Sequence, residues 1–303
     1  MPHRETSTRG TEEAISADFP FESRFVTVLG SRMHYVEQGE GAPILFLHGN
    51  PTWSYLWRNV IPHVSSMGRC IALDLIGMGR SEKPEIGYGF FDHARYVEGA
   101  IEALRLKHIT FVVHDWGSAL AFHYASRNEG NVRALAFMEA ILKPILSVDA
   151  FPPAVRETFP ALRTPGVGWD LIARQNIFIE QLVPNAIVRT LTNAEMTYYR
   201  EPYPDEASRT PVWRWPNELP VGGEPADVVE AVSAYSDWLQ QSELPKLLFH
   251  ANPGAIIDAP VLEWARTHLK NLETVDLGHG LHFLQEDHPH TIGREVARWL
   301  GSR

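Results

Sequence analysis

The chain has 303 residues, of which 44% are hydrophobic, so it can bury a large core as one domain or as one domain with an insertion. Its formal net charge of −10, without a run of Lys and Arg, argues against a surface for nucleic acid or anionic membranes. The single cysteine, Cys70, excludes an internal disulfide framework and is typical of a reducing compartment. No apolar stretch reaches the length of about 18 residues that a membrane span needs. We therefore expect a soluble, cytoplasmic protein.

The first half of the chain begins with a polar segment and continues with strands. Residues 1–20 lack the apolar core of a signal peptide, and we interpret them as a flexible N-terminal tail. Two β-rich runs around Gly30 and Ser31 predict a hairpin over residues 24–37. Short apolar runs bounded by Gly, Pro or Asp then predict strands buried on both faces of a parallel sheet, at residues 43–49, 70–77, 109–115, 132–139, 246–254 and 272–278.

Helical segments, such as 91–106 and 118–127, separate most of these strands. This alternation predicts an α/β fold with a mostly parallel central sheet and helices on both faces. The alternation stops at residues 143–221, which contain no strong strand pattern but many Pro, Trp and helical periods, as in 169–182. We therefore predict a helical cap over 143–221, inserted into a core domain made of residues 21–142 and 222–303.

Polar residues follow the predicted parallel strands, at the sheet edge where ligands bind in α/β folds. One of them, Asp74, precedes a glycine-rich segment and is interpreted as a cap of the following turn, because those glycines lack the spacing of a nucleotide-binding loop. The histidines between residues 279 and 290 lack the arrangement of a metalloprotease, so the motifs favour no metal. The remaining polar strand-end residues include His48, Asn50, Asp115, Trp116, Glu139, Asn252 and His282.

Asp115 lies in the segment FVVHDWGSALAFHYA, residues 111–125, which has the pattern of a strand, a tight turn and a helix. Such an elbow often carries the serine of a hydrolase, but here the position holds a carboxylate. A nucleophile needs a base, and the base needs an orienting acid. Asp115, Glu139 and His282 follow one another in the chain order of nucleophile, acid and base that α/β hydrolases use.

Segments that surround these residues resemble the haloalkane dehalogenase family of the α/β-hydrolase fold. They agree with that family in spacing as well as in residue type, at 48–60, 74–84, 112–125, 137–140 and 281–289. The resemblance implies that Asp115 is the nucleophile, His282 the base and Glu139 the acid, as in the subfamily whose acid follows the sixth strand. It also implies that Asn50 and Trp116 hold the halide, and that no cofactor is needed.

The resemblance further implies a reaction that converts small haloalkanes and water to an alcohol and a halide through an ester on Asp115. A carboxylate suits this attack because it is already ionised at neutral pH. Four apolar residues would ordinarily be interpreted as core packing. The resemblance implies instead that they line the substrate pocket: Phe151, Phe178, Trp213 and Ile256.

The sequence is also compatible with another acid residue and with other functions. The acid could follow the next strand, where the chain offers Asn252 and Asp258. An epoxide hydrolase shares the fold and the Asp nucleophile and would use tyrosines such as Tyr198 and Tyr199, although Asn50 argues against it. Coelenterazine-using luciferases retain the same motifs, and a binding role without catalysis would leave the intact nucleophile, acid and base unexplained.

Overall fold

The structure, a computed structural model, describes residues 13–151 and 153–303, and its strands form a single sheet. The eight strands are β1 (Arg24–Val28), β2 (Ser31–Gln38), β3 (Pro43–Leu47), β4 (Arg69–Leu73), β5 (Ile109–Asp115), β6 (Val132–Ala140), β7 (Lys246–Pro253) and β8 (Leu272–Gly280). Their order is β1-β2-β4-β3-β5-β6-β7-β8. The pairs β1–β2 and β2–β4 are antiparallel, and all the other pairs are parallel. The predicted α/β fold with a mostly parallel sheet is confirmed.

Each predicted apolar run contains one strand, although the ends differ. The strand predicted at 70–77 stops at Leu73 because the next residue, Asp74, turns the chain away from the sheet. The Asp74 carboxylate accepts hydrogen bonds from the backbone N–H groups of Ser54 at 2.7 Å and Arg80 at 2.8 Å. Asp74 is therefore the structural turn residue that the sequence predicts.

The helices pack on both faces of the sheet. Alternate residues of the central strands contribute to two hydrophobic clusters, since successive side chains of a strand point to opposite faces. The helices are α1 (Ile61–Val64), α2 (Phe90–Ala103), α3 (Trp116–Arg127), α4 (Pro153–Arg163), α5 (Val167–Trp169), α6 (Val183–Asn185), α7 (Asn193–Arg200), α8 (Thr210–Glu218), α9 (Ala226–Gln241), α10 (Ala259–His268), α11 (Leu284–Asp287) and α12 (Pro289–Gly301). Helices α2, α3, α9 and α10 contribute to one cluster, and α1 and α12 to the other.

Helices α4 to α8 lie in the segment that interrupts the strand-helix alternation between β6 and β7. The two ends of this segment meet, because the Ile145 N–H donates to Pro220 O and the Gly222 N–H donates to Ile145 O, both at 2.9 Å. The helical period over 169–182 does not correspond to one continuous helix. Two π-helical turns, Asp170–Arg174 and Phe178–Leu182, are separated at Asn176, whose φ of +56° a right-handed helix does not allow.

The segment that precedes β1 makes specific contacts with the 3₁₀ turn Ser54–Trp57 and the residues after it. The Tyr55 hydroxyl donates to Ala17 O at 2.7 Å, and the Arg58 guanidinium donates to Ser16 O at 2.8 Å. These contacts differ from the loose tail that the sequence predicts over residues 1–20, of which residues 1–12 lie outside the described residues. None of the described helices combines the length and apolarity needed to cross a membrane.

A buried ionic cluster joins the helical segment between β6 and β7 to the rest of the protein. The Arg58 guanidinium, with 1% of its side chain exposed, donates to Glu286 Oε1 at 2.6 Å and to Glu195 Oε1 at 2.8 Å. Arg189 pairs with the same two carboxylates, and the Tyr199 hydroxyl also donates to Glu286. Arg58, Glu195 and Glu286 are thus buried together, with Arg189 half-buried beside them, so the loss of Arg58 leaves uncompensated buried charge.

We predict that Arg58→Met destabilises the protein by about 3–5 kcal/mol, because Glu195 and Glu286 each lose a buried partner. Chemical denaturation gives the free energy of unfolding. The matched control is Arg95→Met, since Arg95 pairs with Asp92 on the surface with 66% of its side chain exposed and should cost less than about 1 kcal/mol. Equal losses in the two variants would contradict a structural role for the cluster.

Candidate active site

Asp115 lies at the turn where β5 ends and α3 begins. Its φ of +48° is in the left-handed region, which is strained for a residue other than glycine. The turn is also too tight for side chains beside it. A Cβ added to Gly117 would come within 2.4 Å of Leu47 O, and one added to Gly49 within 2.2 Å of Asp115 Oδ2. The predicted elbow is therefore present, and glycine is required at both positions.

Backbone N–H groups hold the Asp115 carboxylate at this elbow. The Asn50 N–H donates to Asp115 Oδ2 at 2.9 Å, and the Trp116 N–H is a second backbone donor. Burial raises the pKa of Asp115 above its ordinary value, while the positive charge of His282 and the two backbone donors act in the opposite direction. The two N–H groups and His282 are the interactions that favour the charged form of this buried group.

The imidazole of His282 is hydrogen-bonded to Glu139, with His282 Nδ1 3.3 Å from Glu139 Oε2. Glu139 lies near the end of β6 at a φ of +43°, and the loop after β7 supplies N–H donors to its carboxylate. These donors belong to Ala255 at 2.9 Å, Ile256 at 2.6 Å and Ile257 at 3.4 Å. The structure thus joins the predicted acid and base, and it surrounds the acid with backbone dipoles that stabilise a charge.

The pKa of His282 reflects opposing influences. Burial lowers it, but the hydrogen bond that the imidazole donates to Glu139 and the negative charges of Asp115 and Glu139 together raise it above the ordinary value. His282 therefore interacts with both carboxylates, which links the three residues that the sequence placed in the order nucleophile, acid and base.

The alternative acid positions have other contacts. Asp258 caps helix α10, because its Oδ1 accepts a hydrogen bond from the Val261 N–H at 2.9 Å. Asn252 is exposed, and its carbonyl oxygen accepts from His279 Nδ1 at 3.0 Å. Within residues 13–151 and 153–303, Glu139 is the one carboxylate hydrogen-bonded to His282.

The two predicted halide donors lie beside the elbow. Trp116 is 3% exposed, and its indole N–H has no hydrogen-bond partner among the described residues. Asn50 donates one side-chain N–H to Val212 O at 3.2 Å, so its second amide hydrogen remains for a ligand. Both groups are buried donors, which is the property an anion site needs.

Trp116 is the first of three stacked rings, and the sequence did not indicate this stack. Its ring centroid is 4.4 Å from that of Trp215 on α8, and Trp215 is 4.2 Å from His93 on α2. Burial lowers the pKa of His93 to about 3, so this imidazole is neutral. The plane of the Trp116 indole, and with it the direction of its N–H, is fixed by these neighbours.

Two further histidines, His114 and His48, position backbone groups of the site. The His114 Nε2–H donates to His282 O at 2.9 Å, which anchors the backbone of the predicted base. His48 bridges Gly49 O and the Leu75 N–H. Burial lowers the pKa of both histidines, so they act as neutral hydrogen-bonding groups. In the sequence, the one indication that His114 lies at this site is that it directly precedes Asp115 in β5.

The structure does not bring the four predicted pocket residues into one cluster. Phe178 and Trp213 pack in the cluster formed mainly by the segment between β6 and β7. Ile256 packs against the sheet cluster that contains Trp116, and the Phe151 ring lies 4.9 Å from Phe159. Their role in lining a pocket stays a prediction.

The tyrosines considered for an epoxide hydrolase are engaged elsewhere. The Tyr199 hydroxyl donates to Glu286 in the buried ionic cluster. The Tyr198 ring stacks on Tyr55 with centroids 4.5 Å apart. Neither contact directs a proton donor towards Asp115, so the geometry does not support that alternative.

The chain is similar to known proteins over most of its length. A family model described as the alpha/beta hydrolase fold matches residues 42–289. A haloalkane dehalogenase of Mesorhizobium japonicum is 49% identical over 91% of this chain and 90% of its own length. Another, from Sphingobium indicum, is 44% identical over 93% of this chain and 96% of its own length. The crystal structure of haloalkane dehalogenase DbeA from Bradyrhizobium elkani superposes with a TM-score of 0.91 at 47% identity and covers 93% of this chain and 98% of that one.

We predict that Gly117→Ala destabilises the protein by about 1–3 kcal/mol, because the added Cβ would overlap Leu47 O and force the elbow open. The displaced Asp115 should lower turnover about a hundredfold. Thermal unfolding and steady-state kinetics measure the two effects. Gly130→Ala is the matched control, since nothing lies within 4 Å of its added Cβ. Normal activity in Gly117→Ala would show that the tight elbow is dispensable.

Proposed function

Because this chain belongs to the haloalkane dehalogenases of the α/β hydrolase fold, we propose that Asp115, His282 and Glu139 carry out its hydrolytic dehalogenation. The observation that carries this assignment is the carboxylate at the elbow, with the unpartnered indole N–H of Trp116 beside it. The carboxylate is a nucleophile that needs no proton removed, and the indole is a donor for an anion.

The first step is attack by Asp115 on the carbon that carries the halogen. Since the Asn50 N–H binds Oδ2, the other carboxylate oxygen is available to form the ester. The electron pair of the carbon–halogen bond leaves with the halide. Donors aimed at this developing charge lower the barrier, and we assign that role to the Trp116 indole and the Asn50 amide.

The second step is hydrolysis of the ester by water. His282 takes a proton from the water, the resulting hydroxide attacks the ester carbonyl, and the alcohol leaves with a proton returned from His282. The backbone N–H groups of Asn50 and Trp116 already bind the Asp115 carboxylate, so they are placed to stabilise the oxyanion. Glu139 orients the imidazole and stabilises its charged form.

The two steps are coupled through the charge of Asp115. In the free enzyme that charge helps to hold a proton on His282. Ester formation neutralises Asp115, so the pKa of His282 falls, the proton that the imidazole carried is released to solvent, and the neutral imidazole can then accept a proton from the attacking water. The first step thereby prepares the base for the second.

The substrate is a small, uncharged haloalkane, because a buried site beside the stacked rings of Trp116 and Trp215 suits an apolar molecule. As part of the proposal, residues 143–221 form a cap over the core domain, 21–142 and 222–303, and exclude water from the first step. The joined segment ends at Ile145 and Gly222 support these bounds. Phe151, Phe178, Trp213 and Ile256 are proposed to line the pocket.

We also propose that the enzyme works in the cytoplasm. The support is chemical: the single cysteine, Cys70, is buried and unpaired, and burial raises the pKa of its thiol to about 12, so it resists oxidation. A chain of this kind does not depend on an oxidising compartment for its stability.

The proposed function predicts halide release from 1-bromobutane and 1,2-dibromoethane, followed with a halide electrode. Asp115→Asn should release none, because an amide is a poor nucleophile. Release by that variant at the normal rate would contradict the assigned nucleophile. If the natural chain released no halide but emitted light with coelenterazine, the reaction would be that of a luciferase.

The coupling between Asp115 and His282 predicts a shift in a titration. The pKa of His282 lies above 6.5 in the free enzyme, so removal of the Asp115 charge should move the titration of the imidazole to lower pH. NMR titration of His282 in the natural chain and in Asp115→Asn measures this shift. Asp258→Asn is the control, because Asp258 caps α10 instead of binding His282, and it should leave the titration unchanged.

If Asp115→Asn left the pKa of His282 unchanged, the charge of Asp115 would not reach the base, and the proposed coupling of the two steps would fail.

A further inference from the structure

Two histidines and one glutamate meet on the surface of the protein where α1, α12 and the N-terminal segment converge. Within residues 13–151 and 153–303 they form the one group of three His, Cys, Asp or Glu side chains with their ligand atoms mutually close. The atoms are His63 Nε2, His290 Nδ1 and Glu13 Oε2. His290 belongs to the histidine-rich segment 279–290, whose motifs favour no metal. The other two members of the group, His63 and Glu13, come from distant parts of the chain.

The distances among these atoms match the edges of a metal coordination shell. His63 Nε2 lies 2.9 Å from His290 Nδ1, and Glu13 Oε2 lies 3.8 Å and 3.6 Å from these two nitrogens. In a tetrahedral zinc site with bonds of about 2.0–2.1 Å, neighbouring ligand atoms are about 3.3–3.4 Å apart. The three atoms therefore need to move by only tenths of an ångström to share one ion.

The fold prearranges the two imidazoles. His63 lies on α1 and His290 at the start of α12, and these helices pack closely because Gly293 faces His63. A Cβ added to Gly293 would come within 2.7 Å of His63 Cβ. The two histidine side chains are only 18% and 13% exposed, so their conformations are restricted before any ion arrives.

We infer that His63, His290 and Glu13 form a binding site for a divalent transition-metal ion, with Zn²⁺ as the best fit and water as the fourth ligand. Two imidazoles and one carboxylate are a ligand set that suits Zn²⁺, and Mg²⁺ and Ca²⁺ prefer oxygen ligands. To bind the ion, the proton between the two imidazoles moves to another ring nitrogen, so both coordinating nitrogens offer a lone pair.

The bound ion links the N-terminal segment to α1 and α12, which carry the other two ligands. Its role is thus structural and separate from the dehalogenation site. Arg294 Nη1 lies 3.4 Å from Glu13 Oε2, and its positive charge opposes the binding of a cation. Arg294 therefore offers a specific test of the site, because removal of its charge should strengthen metal binding.

The test uses the full chain without an affinity tag, stripped with EDTA and titrated with ZnCl₂ by calorimetry. We expect one ion per chain and an increase in Tm, since an ion bound only by the folded state stabilises it. His63→Gln and His290→Gln should each weaken binding about tenfold or more, whereas Arg294→Gln should tighten it. His268→Gln, on an exposed face of α10, is the matched control and should bind as the natural chain does.

Co²⁺ and Mg²⁺ provide the second readout. Co²⁺ should give the intense visible absorption of a tetrahedral site, lost in His290→Gln, and Mg²⁺ should not raise Tm. Each variant is first shown to unfold at the Tm of the metal-free natural chain and to keep its halide release. Zinc binding that survives both His63→Gln and His290→Gln, or weaker binding in Arg294→Gln, would overturn the inference.

Discussion

The proposed catalytic arrangement depends on one electrostatic constraint, which is that two carboxylates and an imidazole lie close together in the protein interior. Asp115 and Glu139 would be costly to bury as isolated charges, and each is compensated by His282 and by backbone N–H groups. The donors come from loops at the carboxyl ends of β3, β5 and β7. The parallel sheet therefore does more than support the site, since its strand ends supply dipoles that favour the charged form of Asp115, the proposed nucleophile.

The segment between β6 and β7 completes the site by contact with Asn50 and Trp116, the proposed halide donors. Helix α8 supplies Trp215, which stacks on Trp116, and the Val212 carbonyl, which accepts from Asn50. The ionic cluster around Arg58 joins the same segment to the core at a second place. A displacement of this segment would therefore change the direction of both donors, so its packing and the rate of carbon–halogen cleavage are physically linked.

Much of this arrangement could be predicted from sequence because its residues belong to short local patterns. Asp115 follows an apolar strand and precedes a glycine at the elbow, and Asn50 follows a histidine and a glycine at a strand end. Contacts between distant segments were not predictable, because no local pattern records them. His93 and Trp215 meet only through the packing of α2 against α8. The break at Asn176 was not predictable either, because one left-handed residue leaves the hydrophobic period of the segment unchanged.

The most direct test of the two-step account is a single turnover in H₂¹⁸O with enzyme in excess of 1-bromobutane. Water attacks the ester carbonyl of Asp115, so the account predicts that the label enters the Asp115 carboxylate and that the butanol carries unlabelled oxygen from the enzyme. Mass spectrometry of the alcohol and of the peptide containing Asp115 measures both. Labelled butanol with an unlabelled Asp115 would show direct displacement of the halide by water and contradict the account.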